Sequence, residues 1–164
     1  MPSDILFDVG DNVPGIQYAW LADVDFLDSL PEPSQLLIAS DVTFLSGGGW
    51  YPIAFIKQSG LLRVDQLEDR RGISYNVSIS GDIAKDSSAI AQSLEYIKNR
   101  KLVILIQDKN QQYRLVGTEE YYLLQQNNFD SGASGGENNR TAISFTGFLL
   151  EPPPFYTGAI SLAS

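Results

Sequence analysis

Leu102-Val103-Ile104-Leu105-Ile106, the turn Asp108-Lys109-Asn110-Gln111 and the run Tyr113-Arg114-Leu115-Val116-Gly117 decide the fold class of this chain. The first five residues are apolar without alternation, the pattern of a strand buried on both faces. Asp and Asn then supply turn chemistry, so the two apolar runs read as antiparallel neighbours. Tyr121-Tyr122-Leu123-Leu124 and Ala142-Ile143-Ser144-Phe145-Thr146-Gly147 extend the series, separated by a Gly-rich loop at 127–140. Pro152-Pro153-Pro154 stops the last strand, because proline donates nothing to a ladder. Lys101 to Phe155 is therefore expected to be a β-meander.

Upstream the same logic adds strands. Ile73, Tyr75, Val77 and Ile79 alternate with Ser74, Asn76, Ser78 and Ser80, so one face meets a core and the other is polar. Leu61 to Leu67 precedes them across the charged run Glu68-Asp69-Arg70-Arg71. Gln17 to Val24 is a strand with Tyr18, Trp20 and Ala22 on one face. Leu36 to Leu45 and Ile53 to Ile56 are expected to form a long hairpin with its tip at 46–51. One helix is expected from Ser87 to Asn99, capped by Asp86, Ser87 or Ser88. Its stripe Ile90, Leu94 and Ile97 should cover the Leu102–Ile106 strand. Residues 1–15 read as an arm, with Ile5-Leu6-Phe7 set between acids. The expected architecture is mainly β (α+β): one domain over 1–164, a β-sandwich or barrel flanked by one amphipathic helix.

Composition narrows the chemistry. At 164 residues, 43% hydrophobic and 19% charged, the chain is long and apolar enough for one packed core. It has no histidine and no cysteine. That excludes Ser-His-Asp and Cys-His mechanisms, imidazole–zinc sites and disulfides, and points away from an enzyme. The net charge of −9 argues against gripping nucleic acid by its phosphates, which needs clustered Lys and Arg, and against an anionic membrane surface. No apolar run reaches membrane-spanning length, and the first residues carry no secretory signal pattern. Synthesis in a cytoplasm is the expectation.

The remaining motifs are weak as chemistry. Asp23, Asp25 and Asp28 cluster, but lack the spacing and glycine of a calcium loop. Gly47-Gly48-Gly49 is followed by Trp50 instead of the Lys of a phosphate loop. Flexible glycines beside Trp50 and Tyr51 suit a tip that reaches another subunit, since such aromatics anchor interfaces; burial in the core is the equal alternative. The expected subunit-contact residues are Ile5, Leu6, Phe7, Gly47, Gly48, Gly49, Trp50 and Tyr51. No catalytic, cofactor or metal residues are nominated.

The segment from Leu102 to Gly117, with the closing Ile143-Ser144-Phe145-Thr146-Gly147-Phe148-Leu149-Leu150-Glu151-Pro152, resembles a recurrent pattern in virion proteins of Bacteroidetes phages, including crAss-like phages. The resemblance covers roughly the C-terminal third and is structural, not catalytic. It departs at the first turn, where a common glycine is replaced by Gln111 or Gln112. It implies a tail-tube-like, ring-forming virion protein in a tail, collar or head–tail connector. The implied partners are further copies of the chain, neighbouring portal, tail or ring proteins, and DNA that passes without sequence-specific binding. An inner wall with excess acid would then be expected, with Asp82, Asp86, Asp108, Glu119 and Glu120 as candidates. The competing reading is a ligand-binding β-sandwich or barrel for carbohydrate or lipid.

Overall fold

A computed structural model describes residues 14–84, 87–130 and 140–163. The chain is mainly β, with one helix. A six-stranded sheet is built from β1 (Ile16–Asp23), β3 (Leu37–Ile38), β5 (Tyr51–Ile53), β8 (Leu102–Asp108), β9 (Tyr113–Val116) and β12 (Phe155–Tyr156), in the order β3-β12-β9-β8-β1-β5. A four-stranded sheet holds β6 (Leu61–Asp69), β7 (Gly72–Ala84), β10 (Leu124–Asp130) and β11 (Arg140–Leu149), in the order β10-β11-β7-β6. β2 (Leu27–Ser29) and β4 (Thr43–Phe44) form a small separate pair. The helix α1 spans Ser88–Ile97.

β8 is the central strand its composition demands. Leu102, Val103, Ile104, Leu105 and Ile106 are all essentially inaccessible to solvent. Leu102, Ile104 and Ile106 face one core shared with Val77, Ile79, Ile143 and Phe145 of the four-stranded sheet. Val103 and Leu105 face a second core with Ile38, Val42, Trp50 and Tyr156. The lack of alternation thus reports burial on two sides. Ser87 caps α1, its hydroxyl accepting from the Ile90 N–H at 3.2 Å. Leu94 belongs to the first core together with Leu102, Ile104 and Ile106, and Ile90 and Ile97 pack against it half-buried.

The structure corrects four expectations. The Lys101–Phe155 run is not one meander: β8 and β9 pair in the larger sheet, β10 and β11 in the smaller, and β12 returns to the larger. Gly117, at φ +99°, ends β9 in a conformation that side-chain-bearing residues avoid, and the chain turns away. Of Tyr121–Leu124, Leu123 only bridges Leu102 before β10 begins in the other sheet. Residues 127–130, expected as loop, are strand paired with β11, as is Arg140; 131–139 lie outside the described residues.

The long hairpin at 36–56 is absent. β3 pairs with β12, β4 with β2 and β5 with β1. Gln35 and Leu36 adopt positive φ, so an extended strand cannot start before Leu37. The six residues at 46–51 are consequently not a hairpin tip. Trp50, the fourth, is a core residue and not part of an exposed tip.

Candidate assembly surface

The four-stranded sheet presents two different faces. Alternation along β7 sends Val77 and Ile79 into the core, and Ile143, Phe145 and Leu149 follow from β11. The opposite face is set by the register. Arg63, Ser78, Thr146 and Leu124 form one cross-strand row; Leu61, Ser80, Ser144 and Gln126 form the next. Asp65 and Asn76 lie opposite each other beyond them. Small hydroxyl and amide side chains fill the middle of this face, and Leu61, Leu67, Leu124 and Phe148 are exposed around them.

Its charges are mostly matched. Arg63 Nε lies 2.9 Å from Asp65 Oδ2, and Arg140 Nη1 lies 3.3 Å from Asp82 Oδ2. These pairs are exposed, so each contributes little to stability; their effect is on the surface field. Of the acids proposed for an inner wall, Asp82 is on this sheet. Asp108 instead organises the β8–β9 turn, its Oδ1 accepting from the N–H groups of Asn110 and Gln112 at 2.8 and 2.9 Å. Glu119 and Glu120 sit in the exposed turn after β9. Asp86 is outside the described residues.

Both lateral edges of the sheet, β6 and β10, lack a neighbouring strand among the described residues. β6 is nine residues long, and all but Leu62 are exposed. Leu61 and Leu67 are 53% and 43% accessible on the polar face, which leaves apolar area beside unpaired backbone groups. A long bare edge is a template for another chain, and a protein that stays single covers or shortens it.

The expected contact residues separate. Ile5, Leu6 and Phe7 lie outside the described residues. Trp50 is wholly buried, so it is not an exposed anchor. Its ring packs edge-on to Phe44 at 5.5 Å, its N–H donates to the Ser161 carbonyl, and its own carbonyl accepts from Ala163. The C-terminal segment passes so close that a Cβ on Gly49 would stand 2.6 Å from the Ala163 backbone. Glycine is required there by contact, not by flexibility. Gly48 is half-buried; Gly47 and Tyr51 are exposed and remain available to a neighbour.

The Asp cluster also disperses. Asp23 is buried, accepts from the Asp25 N–H and pairs with Arg100; Asp28 accepts from the Thr43 hydroxyl. Among the described residues, no group of three His, Cys, Asp or Glu side chains is placed to hold a metal.

Sequence reading overlooked a groove of about 950 Å³ beside α1. One wall is Tyr51 to Ile56; the other is the α1 face carrying Ile90, Leu94 and Ile97. Leu21 and Leu102 lie between them, and Arg100 closes one end beside Asp23. Its signal in the sequence is the apolar run Pro52-Ile53-Ala54-Phe55-Ile56. No protein-family model matches the chain, and comparison with curated proteins and with solved structures gives no match.

Proposed function

We propose that this protein is a non-enzymatic structural component of a phage virion. Copies form a ring around the DNA passage in the tail, collar or head–tail connector. The observation that supports this most is the four-stranded sheet with two open edges and a polar free face. Edge β6 of one copy set against edge β10 of the next is a heterologous contact, and such contacts close into rings when the rotation per subunit divides a full turn. The free faces then line the hole.

The chemistry of that face suits a sliding polyanion. DNA is held by clustered cations that release its counterions. Here the two arginines of the face, Arg63 and Arg140, each stand against a carboxylate, and the rows of the face carry Ser, Thr, Asn and Gln together with the apolar Leu61, Leu124 and Phe148. A wall of this kind offers hydrogen bonds without net positive charge. The resemblance of the C-terminal third to phage virion proteins points the same way.

The test is the state of the purified chain, by native mass spectrometry and negative-stain imaging. Closed rings are expected, lost on Leu61→Lys with Leu67→Lys while the circular dichroism spectrum is kept. A chain that stays monomeric at micromolar to millimolar concentration, with and without its neighbouring virion proteins, would overturn the reading. The competing reading, a lipid- or carbohydrate-binding β protein, draws on the apolar groove beside α1; co-purified lipid in a monomer would favour it.

A further inference from the structure

The two open edges of the four-stranded sheet are offset along the strands. From the row Arg63-Ser78-Thr146-Leu124, β6 runs on to Asp69, whereas β10 begins at Leu124 and runs the other way to Asp130. Continuing that row straight into a second copy would set only Leu61, Leu62 and Arg63 opposite β10. The strand directions do match. β10 and β7 both run antiparallel to β11, and β6 runs antiparallel to β7. So β6 of a neighbour in the same orientation meets β10 antiparallel.

Sliding that neighbour by four residues, about 13 Å at about 3.3 Å per residue, sets the whole of β10 against β6. Leu67 then stands opposite Leu124 and Asp65 opposite Gln126, with Leu61 level with Asp130. Four is even, so every side chain keeps its face and the polar face continues unbroken. Leu67 and Leu124, 43% and 45% accessible on that face, cover each other.

The same slide brings opposite charges together. The turn between β6 and β7 is Arg70-Arg71, exposed, with neither guanidinium in an ion pair among the described residues. Asp69 serves the turn itself, accepting from the Arg71 N–H at 2.6 Å. At the same end of the sheet, on its β10 side, stand Glu119 and Glu120, also exposed and without an ion pair among the described residues. Tyr121, next in the chain, has its ring 6.3 Å from that of Phe148 near the end of β11, which fixes the place of this turn. Counted back from Leu124, the slide sets Arg70 level with Tyr121 and Arg71 level with Glu120. Each side also carries a minor opposite charge, Glu68 on the hairpin and Lys101 over the Tyr122 ring.

We propose that copies of this chain join through an antiparallel β6–β10 ladder with Leu67 opposite Leu124, and with Arg70 and Arg71 set against Glu119 and Glu120 of the next copy. This rests on the assembly reading above for the presence of a neighbour, and adds the register and the ionic contact. Main-chain hydrogen bonds hold such a ladder; the leucines and the charges select its register.

The chain has no cysteine, so introduced thiols report the register directly. Leu67→Cys with Leu124→Cys is compared with Arg63→Cys with Leu124→Cys, the pair that an unshifted row would join. Within one chain the two edges are three strands apart, roughly 14 Å, too far for a disulfide, so every bond formed is between copies. Mild oxidation is followed on non-reducing gels, beside native mass spectrometry of the unmodified chain. A covalent ladder at least about tenfold faster for the Leu67 pair is expected. Arg70→Glu with Arg71→Glu should raise the concentration for half-assembly about tenfold at low salt, and adding Glu119→Arg and Glu120→Arg should restore it. Rings of the unmodified chain with equal rates for the two pairs, or a faster Arg63 pair, would overturn the register and leave the ring reading standing. A fast Leu67 ladder on open chains would support the register and overturn ring closure. Assembly indifferent to the charge reversals would overturn the ionic contact. A chain that stays monomeric, with no ladder from either pair, would overturn both the ring and the register.

Discussion

Arg100 Nη1 sits 3.2 Å from the Oδ2 of Asp23, joining the segment that follows α1 to the end of β1. Asp23 is 8% accessible on its side chain and Arg100 37%. Asp25 is a looser second partner at 3.9 Å, and the Tyr96 ring lies under the guanidinium at 5.0 Å. Val24 N–H donates to the Lys101 carbonyl alongside, so backbone and side chains fasten the same junction.

Removing one partner leaves the other short of its charge. Arg100→Ala should destabilise the chain by about 1–2 kcal/mol, less than for a fully buried pair because the guanidinium is partly solvated. Asp23→Asn, which keeps the shape and can still accept from Asp25, should cost less. Urea denaturation of both variants reads the difference; equal midpoints with wild type would show that the pair is idle.

Trp50 and Tyr51 should behave oppositely although they are adjacent. Trp50→Ala removes a fully buried ring and should cost about 3–5 kcal/mol. Trp50→Phe should cost less, because it also removes an indole N–H that has no partner among the described residues. Tyr51→Ala, at a 44% accessible position, should leave the melting temperature within a few degrees and act, if at all, on assembly. Thermal melts with sizing of each variant make the comparison.

Gln111 occupies the left-handed region at φ +63°, in the turn between β8 and β9. The strain is offset by the Asp108 carboxylate, which accepts from two backbone N–H groups of the turn. Gln111→Gly should stabilise by up to about 1 kcal/mol, and Asp108→Ala should destabilise by a similar amount. Chemical denaturation of both variants and of the pair checks whether the two effects are coupled.

Tyr156 gives an alkaline signature. Burial pushes its phenol above the ordinary 10.0; the Val42 N–H bonded to its oxygen lowers it, and the nearby Asp41 charge raises it again. The folded state thus holds the proton more tightly than the unfolded chain. Stability from this group is complete below pH 10 and is lost as pH rises through the raised value. Tyr156→Phe should lower stability at neutral pH, since the hydroxyl also donates to Ala159 at 2.7 Å, and should flatten the decline above pH 10. An unchanged alkaline slope would assign the decline to other tyrosines.

Local patterns were legible where one interaction dominates. The unbroken apolar run of β8 meant two buried faces, the alternation of β7 meant one, and the spacing of Ile90, Leu94 and Ile97 with Ser87 before it meant a capped helix. These follow from side-chain periodicity and from the few residues that satisfy a helix N-terminus. The short strands between Leu36 and Ile53 were not legible, because two or three residues carry no period and their partners are remote.

The candidate surface divides in the same way. The serines of β7 announced a polar face, but its continuation through Ser144, Thr146 and Gln126 depends on strand pairing across more than 60 residues of chain. The two buried faces of β8 and the turn that follows it were carried by the sequence alone. Burial of Trp50 was not: an aromatic after glycines suits an exposed tip or a core equally, and the Ser161–Ala163 backbone and Phe44 closing over it decide the matter. What the sequence by itself determined is the β class, the central strand, the helix and the lack of histidine and cysteine chemistry, because these depend on neighbours in the chain or on composition. Only the tertiary structure decided the division into two main sheets, the open edges and the groove beside α1, because those depend on which distant segments compete for the same hydrogen-bonding edge and the same apolar space.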